Sequence, residues 1–164
     1  MIDATGNVVA PGFIDLLGQS ESFLLIDPRA MSKVMQGVTT EITGEGESIA
    51  PVNERLINEQ ADFNRRYNLT IDWRTLDEYF LRLERQGSGV NFATFVGASQ
   101  VRAYVIGFDN RPPTPPELEQ MKELGLVLLS HGGEEKAVEA EEDQRLGNPL
   151  LLRRALDHGV KTIV

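Results

Sequence analysis

A strand–helix–strand alternation in the first third of the sequence constrains the fold more than any other feature. Residues 13–17 are apolar except for Asp15, and residues 38–43 are β-branched except for Glu41, so each segment predicts a strand. Between them, Asp27 followed by Pro28 suits the first positions of a helix, and Gly37 suits its end. Two strands joined through a helix form the unit of a parallel sheet, so the sequence predicts an α/β fold.

The same alternation continues to the end of the sequence. The clearest helix has Leu76, Tyr79, Phe80 and Leu83 at i, i+3, i+4 and i+7, which predicts one buried stripe. The other predicted helices cover residues 52–63, 101–106 (with Ser99 as N-cap), 117–124, 134–144 and 148–156, and the other predicted strands cover residues 90–96, 126–129 and 160–164. About five parallel strands suit either a small open sheet or the first half of a barrel. A complete (β/α)8 barrel needs about 250 residues, whereas this chain has 164, so length alone favours the open sheet.

Composition excludes several classes of protein. With 41% hydrophobic residues, the chain has enough apolar material for a packed core. Its 16 basic and 25 acidic residues give a net charge of −9, which argues against a general nucleic-acid binder. The absence of cysteine excludes disulfides, thiol nucleophiles and thiolate metal sites. The sequence has no apolar run of about 20 residues and no signal-peptide pattern at its start, so we expect a cytoplasmic protein without a membrane partner.

Five short motifs occur in the order known from one enzyme family. They are residues 3–15 (DATGNVVAPGFID), 37–40 (GVTT), 72–79 (DWRTLDEY), 89–91 (GVN) together with 96–97 (VG), and 111–118 (RPPTPPEL). In these motifs the chain resembles the amidohydrolase superfamily, and within it the N-acyl-D-amino-acid deacylase, or D-aminoacylase, branch. The likeness extends over about residues 3–123, and Ser130-His131 is similar to the end of a later metal-bearing strand of the family.

This resemblance implies a particular fold and domain division. Members of the family have a (β/α)8 barrel, which the chain enters from a small β-sandwich. We therefore expect residues 1–11, including a short strand over residues 8–10, to be a remnant of the β-sandwich and its lead-in. Residues 12–164 are expected to form about the first half of the barrel, as part of a truncated or divergent chain.

The resemblance also implies a reaction. In the family, one or two divalent metal ions, usually zinc, turn water into a hydroxide that attacks the amide carbonyl of an N-acylated D-amino acid. At the positions of the family's first metal-binding pair, His-x-His, this sequence has Leu17 and Gln19. The cysteine that the deacylase branch places after its second strand is missing, and the corresponding loop contains Gly44, Glu45 and Gly46.

Two residues are candidates for metal ligands in place of the missing ones. Glu45 follows a predicted parallel strand, at the end where barrel sites are built, although it also suits a solvated turn. His131 follows an apolar run and precedes two glycines, which suits either a ligand or an ordinary loop histidine. Glu41 and Glu47 are weaker candidates, and His158, just before Gly159, suits a helix end.

Three hypotheses about function follow. The first is metal-dependent hydrolysis of the amide bond in N-acyl-D-amino acids or similar compounds, with zinc as cofactor. The second is a catalytically silent relative that binds a small acylated ligand or a partner, in keeping with Leu17 and Gln19. The third is a non-functional gene fragment whose exposed strand edges pair with other copies of the chain.

Overall fold

A computed structural model describes residues 3–130, which form a three-stranded parallel sheet with helices between and after its strands. The strands are β1 (Phe13–Asp15), β2 (Val38–Thr43) and β3 (Asn91–Thr94). The helices are α1 (Glu21–Ile26), α2 (Met31–Val34), α3 (Glu54–Glu59), α4 (Ala61–Arg66), α5 (Leu76–Gln86), α6 (Ala98–Val105) and α7 (Pro115–Ser130). The predicted α/β class with a parallel sheet is therefore confirmed.

The sheet has the order β1-β2-β3, and both pairs of neighbouring strands are parallel. Asp15 is opposite Glu41, which in turn is opposite Phe92, so these three side chains share one face of the sheet. Because all three strands run in one direction, their carboxyl ends lie at the same edge. The segments that follow the strands are thereby brought together there.

The core lies between one face of the sheet and the helices. Phe92 of β3 packs on Tyr79 and Phe80 of α5, with ring centroids 5.8 and 6.0 Å apart. Tyr79 also meets the ring of Trp73 edge to face, at 5.6 Å. Aromatic pairs at these distances stabilise a core beyond the area that they bury.

Helix α5 confirms the clearest prediction from the sequence. Its predicted stripe faces the core, since Leu76, Tyr79 and Leu83 are buried. Thr75 caps the helix by accepting the backbone N–H of Glu78, whose carboxylate accepts the N–H of Thr75 in return. Gly87 follows the last helical residue.

Several predicted boundaries are wrong. Asp27 ends α1, which was not predicted, and α2 begins only at Met31, because Ala30 adopts a left-handed conformation between the two helices. The helix predicted over residues 52–63 is divided at Gln60 into α3 and α4. Helix α6 begins after Gly97, two residues earlier than a helix capped by Ser99 would.

Two predicted strands are not strands. Residues 126–129 continue α7, because a four-residue apolar run suits a helix as well as a strand, and Gly125, just before it, lies inside the helix instead of ending it. Residues 8–10 form no strand, and the side chains of Val8 and Val9 are exposed. The predicted elements after residue 130 lie outside the described residues. Among the helices of the described part, none combines the length and the apolar character that a membrane span requires.

Candidate functional site

A cavity of about 630 Å³ opens where the three strands end. It is lined by Leu17, Gly18 and Gln19 after β1, by residues 44–48 after β2, and by residues of α6 after β3. Ligand sites of parallel α/β proteins lie at this edge of the sheet, and the volume is in the range of small-molecule sites. The cavity is therefore the candidate functional site.

The loop of residues 44–48 is held against the start of α6 by hydrogen bonds. The hydroxyl of Ser48 accepts the N–H of Gly97 at 3.1 Å and donates to the carbonyl of Ala50 at 2.6 Å. The N–H of Ser99 donates to the carbonyl of Gly46 at 2.9 Å. This loop is thus a fixed part of the cavity wall.

The cavity has one apolar and one acidic part. Its apolar wall, as we call it below, consists of Leu56, Ile57, Phe63 and Trp73. Its acidic rim consists of Glu45, Glu47 and Glu59, which are exposed. A site with this lining can hold an apolar group at the wall and polar atoms at the rim.

Glu21, the first residue of α1, belongs to neither part and contributes a half-buried carboxyl to the cavity lining. Burial raises the pKa of Glu21, and hydrogen bonds with Thr43 and Gly44 oppose that shift. Glu21 was not among the predicted site residues, because helix α1 was not predicted from the sequence. The signal that could have found it is Leu24 and Leu25 one turn later, preceded by Ser20, a residue type common before helices.

Beneath the cavity, Asp15, Lys33 and Glu41 form what we call the buried ion group. Glu41 is 0% exposed, neither of its carboxylate oxygens has a hydrogen-bond partner among the described residues, and its Oε1 lies 3.4 Å from the Lys33 Nζ. Lys33 also donates to Asp15, which lowers the pKa of Asp15 and raises that of Lys33. The Asp15 carboxylate accepts the N–H of Leu17 at 3.1 Å, and Glu41 contacts the backbone of Gly18. The buried ion group therefore packs against Leu17 and Gly18, the part of the cavity lining that follows β1.

The residues predicted as ligands are not brought together within the described part of the chain. Glu45 lies on the acidic rim, with Glu47 beside it. Glu41 belongs to the buried ion group and does not line the cavity. His131 and His158 lie outside the described residues.

The described residues do not by themselves fit a zinc ion. Leu17, at the first position of the family's histidine pair, is 59% exposed and offers only a hydrocarbon side chain. Gln19, at the second position, lines the cavity but carries a neutral amide. Within residues 3–130, no group of three or more His, Cys, Asp or Glu side chains is placed to hold a metal. Zinc usually takes at least three protein ligands.

Comparison with known proteins identifies relatives, although no protein-family model matches the chain. The chain is 34% identical over 125 residues to the N-acyl-D-aspartate deacylase of Alcaligenes xylosoxydans xylosoxydans, covering 76% of this chain and 25% of that protein. It is 33% identical over 135 residues to the D-aminoacylase of the same organism, covering 80% and 27%. The chain thus spans about a quarter of the length of these relatives.

Solved structures give the same relationship. The structure of a D-aminoacylase with a binuclear metal centre is similar to this chain. The TM-score is 0.62 and the identity 31%, over 75% of this chain and 26% of the D-aminoacylase. An N-acyl-D-glutamate deacylase from Bordetella bronchiseptica, in complex with zinc and a phosphonate inhibitor, gives 0.64 and 28%, over 77% and 27%. A further D-aminoacylase, described as defining a subset of the amidohydrolases, gives 0.59 and 29%, over 75% and 26%.

The sequence motifs, the parallel sheet and these likenesses agree over the same part of the chain. The chain belongs to the N-acyl-D-amino-acid deacylase, or D-aminoacylase, branch of the amidohydrolase superfamily.

Proposed function

We propose that this protein hydrolyses the amide bond of N-acyl-D-amino acids or similar small amides. The observation that carries the proposal is the cavity at the carboxyl ends of β1, β2 and β3, in a chain of the D-aminoacylase branch. Its apolar wall suits the hydrocarbon part of an acylated amino acid, and polar atoms at its rim suit the amide.

We propose further that the fold is about the first half of a (β/α)8 barrel, formed by residues 12–164. Three parallel strands in sequential order, each followed by helices, support this division. Residues 1–11 are then the lead-in from a β-sandwich.

For the metal, we propose that Glu45 and His131 are zinc ligands of this protein, in place of the family's missing ligands. The position of Glu45 on the cavity rim supports its part, since a carboxylate there can reach a bound ion. Elemental analysis of the purified chain after dialysis tests the proposal. Glu45→Ala and His131→Ala should each lower the zinc content, whereas Glu47→Ala, on the same rim, should leave it unchanged. Unchanged zinc in both ligand variants would refute the assignment.

The hydrolytic activity is tested by incubating the chain, with and without added zinc, with matched N-acetyl-D- and N-acetyl-L-amino acids. Release of free amine only from the D-compounds is the expected result. A chain that binds these compounds without releasing amine would contradict hydrolysis by these residues.

That second outcome would support an alternative function, in which the protein binds an acylated ligand without cleaving it. The specific observation that favours the alternative is the pair Leu17 and Gln19, which replaces the family's histidines on the cavity rim. Gln19 can donate to and accept from an amide, but it does not activate water as a metal ion does.

We also propose that copies of the chain associate through β1. Phe13, Ile14, Leu16 and Leu17 are exposed and form what we call the β1 patch. Within residues 3–130, no strand pairs with the outer edge of β1. An unpaired strand edge beside apolar side chains favours pairing with another chain.

A further inference from the structure

We propose that the cavity selects N-acyl compounds whose far end is neutral or cationic, and disfavours those with a second carboxylate. This inference rests on the proposed function and names the substrate class. Two relatives, by contrast, are deacylases of N-acyl-D-aspartate and N-acyl-D-glutamate.

The first step is the shape of the cavity. The apolar wall is a built surface, because Trp73 and Leu56 are buried and the Trp73 N–H donates to the carbonyl of Ile49 at 3.1 Å. A hydrocarbon chain of an acylated amino acid can displace water from this wall. The acidic rim lines the same cavity, and its Glu59 lies on α3 with Leu56 and Ile57 of the apolar wall, so one small ligand can contact both.

The second step is the charge of the lining. Four carboxyl groups line the cavity, namely Glu21 and the three of the acidic rim, and among the described lining residues there is no Lys, Arg or His. The three rim glutamates form no ion pair with a described residue, so their charges are not neutralised locally.

The third step concerns Arg55 and Arg102, cations on α3 and α6, two helices that contribute lining residues. The guanidinium of Arg55 donates to the carbonyls of Ala103 and Tyr104, and that of Arg102 donates to the carbonyls of Asp109 and Arg111. Neither side chain lines the cavity. A second carboxylate of a ligand would therefore enter a field of like charge, whereas an ammonium group would be attracted.

Binding measurements with probes of matched shape test the proposal. N-acetyl-D-glutamine and N-acetyl-D-glutamate differ by one charge at almost constant shape, and N-acetyl-D-lysine carries an ammonium group. With the full 164-residue chain and isothermal titration calorimetry at low salt, we expect the order lysine, glutamine, glutamate, with about tenfold between the first and the last. The preference should shrink at about 0.5 M salt, since ions screen exposed charges.

Variants assign the preference to the rim. Glu59→Gln and Glu47→Gln should each reduce the ratio between the lysine and glutamate compounds, whereas Glu84→Gln, an exposed carboxylate outside the cavity, should not. A glutamate compound that binds as tightly as the glutamine compound would overturn the proposal. So would a preference that persists in both rim variants and at high salt, because the cause would then be shape.

A fourth probe separates this inference from the proposed function. N-acetylcadaverine has the amide and the ammonium group of the lysine compound but no carboxylate. If it binds in a manner that depends on Glu47 and Glu59 while no N-acyl-D-amino acid is bound or cleaved, the charge selection stands and the proposed function fails. If none of the four probes binds, the inference itself fails.

Discussion

At the scale of single residues, Glu41 is the most completely buried carboxylate of the described residues. Its carboxylate is fully buried, receives no hydrogen bond from residues 3–130 and has Lys33 as its partner cation. Removing water from a carboxylate costs several kcal/mol, and a single ion pair offsets that cost only in part. The stability of this region therefore depends on the ammonium group of Lys33.

The first prediction follows from this dependence. Lys33→Met should lower the free energy of unfolding by about 3 kcal/mol, because it leaves Glu41 buried without a counter-charge. The double variant Lys33→Met/Glu41→Leu should recover most of that loss, since the charge that then remains, that of Asp15, is on a partly exposed side chain. Urea unfolding of the three proteins measures both effects, and a double variant no more stable than the single one would contradict the explanation.

The second prediction concerns Glu21 and pH. Because burial raises the pKa of Glu21 in the folded protein, the folded state favours the protonated carboxyl more than the unfolded chain does. The resulting stabilisation is complete below the ordinary value of 4.5 and is lost as the pH rises through the higher folded value. Glu21→Gln, which stays neutral, should therefore increase stability relative to the parent at pH 7 and lose that advantage near pH 4.

Thermal unfolding over this pH range checks the second prediction. Glu84→Gln is the matched control, because Glu84 is an exposed carboxylate of α5 and should show no such pH-dependent difference. An equal response of the two variants would mean that burial of Glu21 is not the cause.

For single residues, the sequence predicted the place of a residue relative to a strand better than it predicted the contacts and burial of its side chain. Glu45 was expected at the carboxyl end of a parallel strand and lies on the cavity rim, because that rule depends only on strand direction. The sequence left open which face of β2 Glu41 occupies, since that depends on where Lys33 of α2 packs. Whether Glu45 and His131 bind zinc stays a prediction.

At the scale of elements, the loop of residues 44–48 and the start of α6 depend on each other. A Cβ atom on Gly97 would overlap the carbonyl group of Gly46, and the N–H of Ser99 is bonded to that same carbonyl. The close approach of the two backbones is thus possible only while Gly97 has no side chain.

The third prediction is that Gly97→Ala displaces the loop and with it Glu45 and Glu47 of the acidic rim. The free energy of unfolding should fall by about 1–3 kcal/mol, and the affinity for N-acetyl-D-lysine should fall as well. Ser99→Ala, two residues later and exposed, should change the stability by less than about 0.5 kcal/mol. A Gly97→Ala protein with the parent's stability and affinity would show that the two elements move independently.

Elements with a complete local pattern could be predicted, and those without one could not. Residues 38–43 were predicted as a strand and are β2, and the stripe from Leu76 to Leu83 is buried in α5. Helix α1 has only six residues, too few for a helical period to stand out. The apolar run over residues 126–129 has no alternation, and the preceding Gly125 suits a helix end, so the local sequence did not indicate that α7 continues through it.

At the scale of the whole molecule, the described sheet leaves β1 with an apolar surface. The fourth prediction is that the chain associates through the β1 patch, and that Ile14→Lys weakens the association because a charged side chain opposes pairing of strand edges. Light scattering across a dilution series should show a smaller mass for the variant than for the parent at equal concentration.

Leu81→Lys is the control for the fourth prediction. Leu81 is also an exposed leucine, but it lies on α5, away from β1. If both variants reduce the mass equally, association depends on overall charge, and if neither does, the β1 patch is not the interface.

The position of Trp73 gives the protein an optical property of its own. Trp73 is the single tryptophan of the chain, is 1% exposed and belongs to the apolar wall of the cavity. Light emitted by indole therefore originates at one place, where a compound entering the cavity changes the polarity around the ring. Emission wavelength and intensity can consequently follow occupancy of the cavity in unlabelled protein, with Tyr79 near enough to pass its excitation on to the indole.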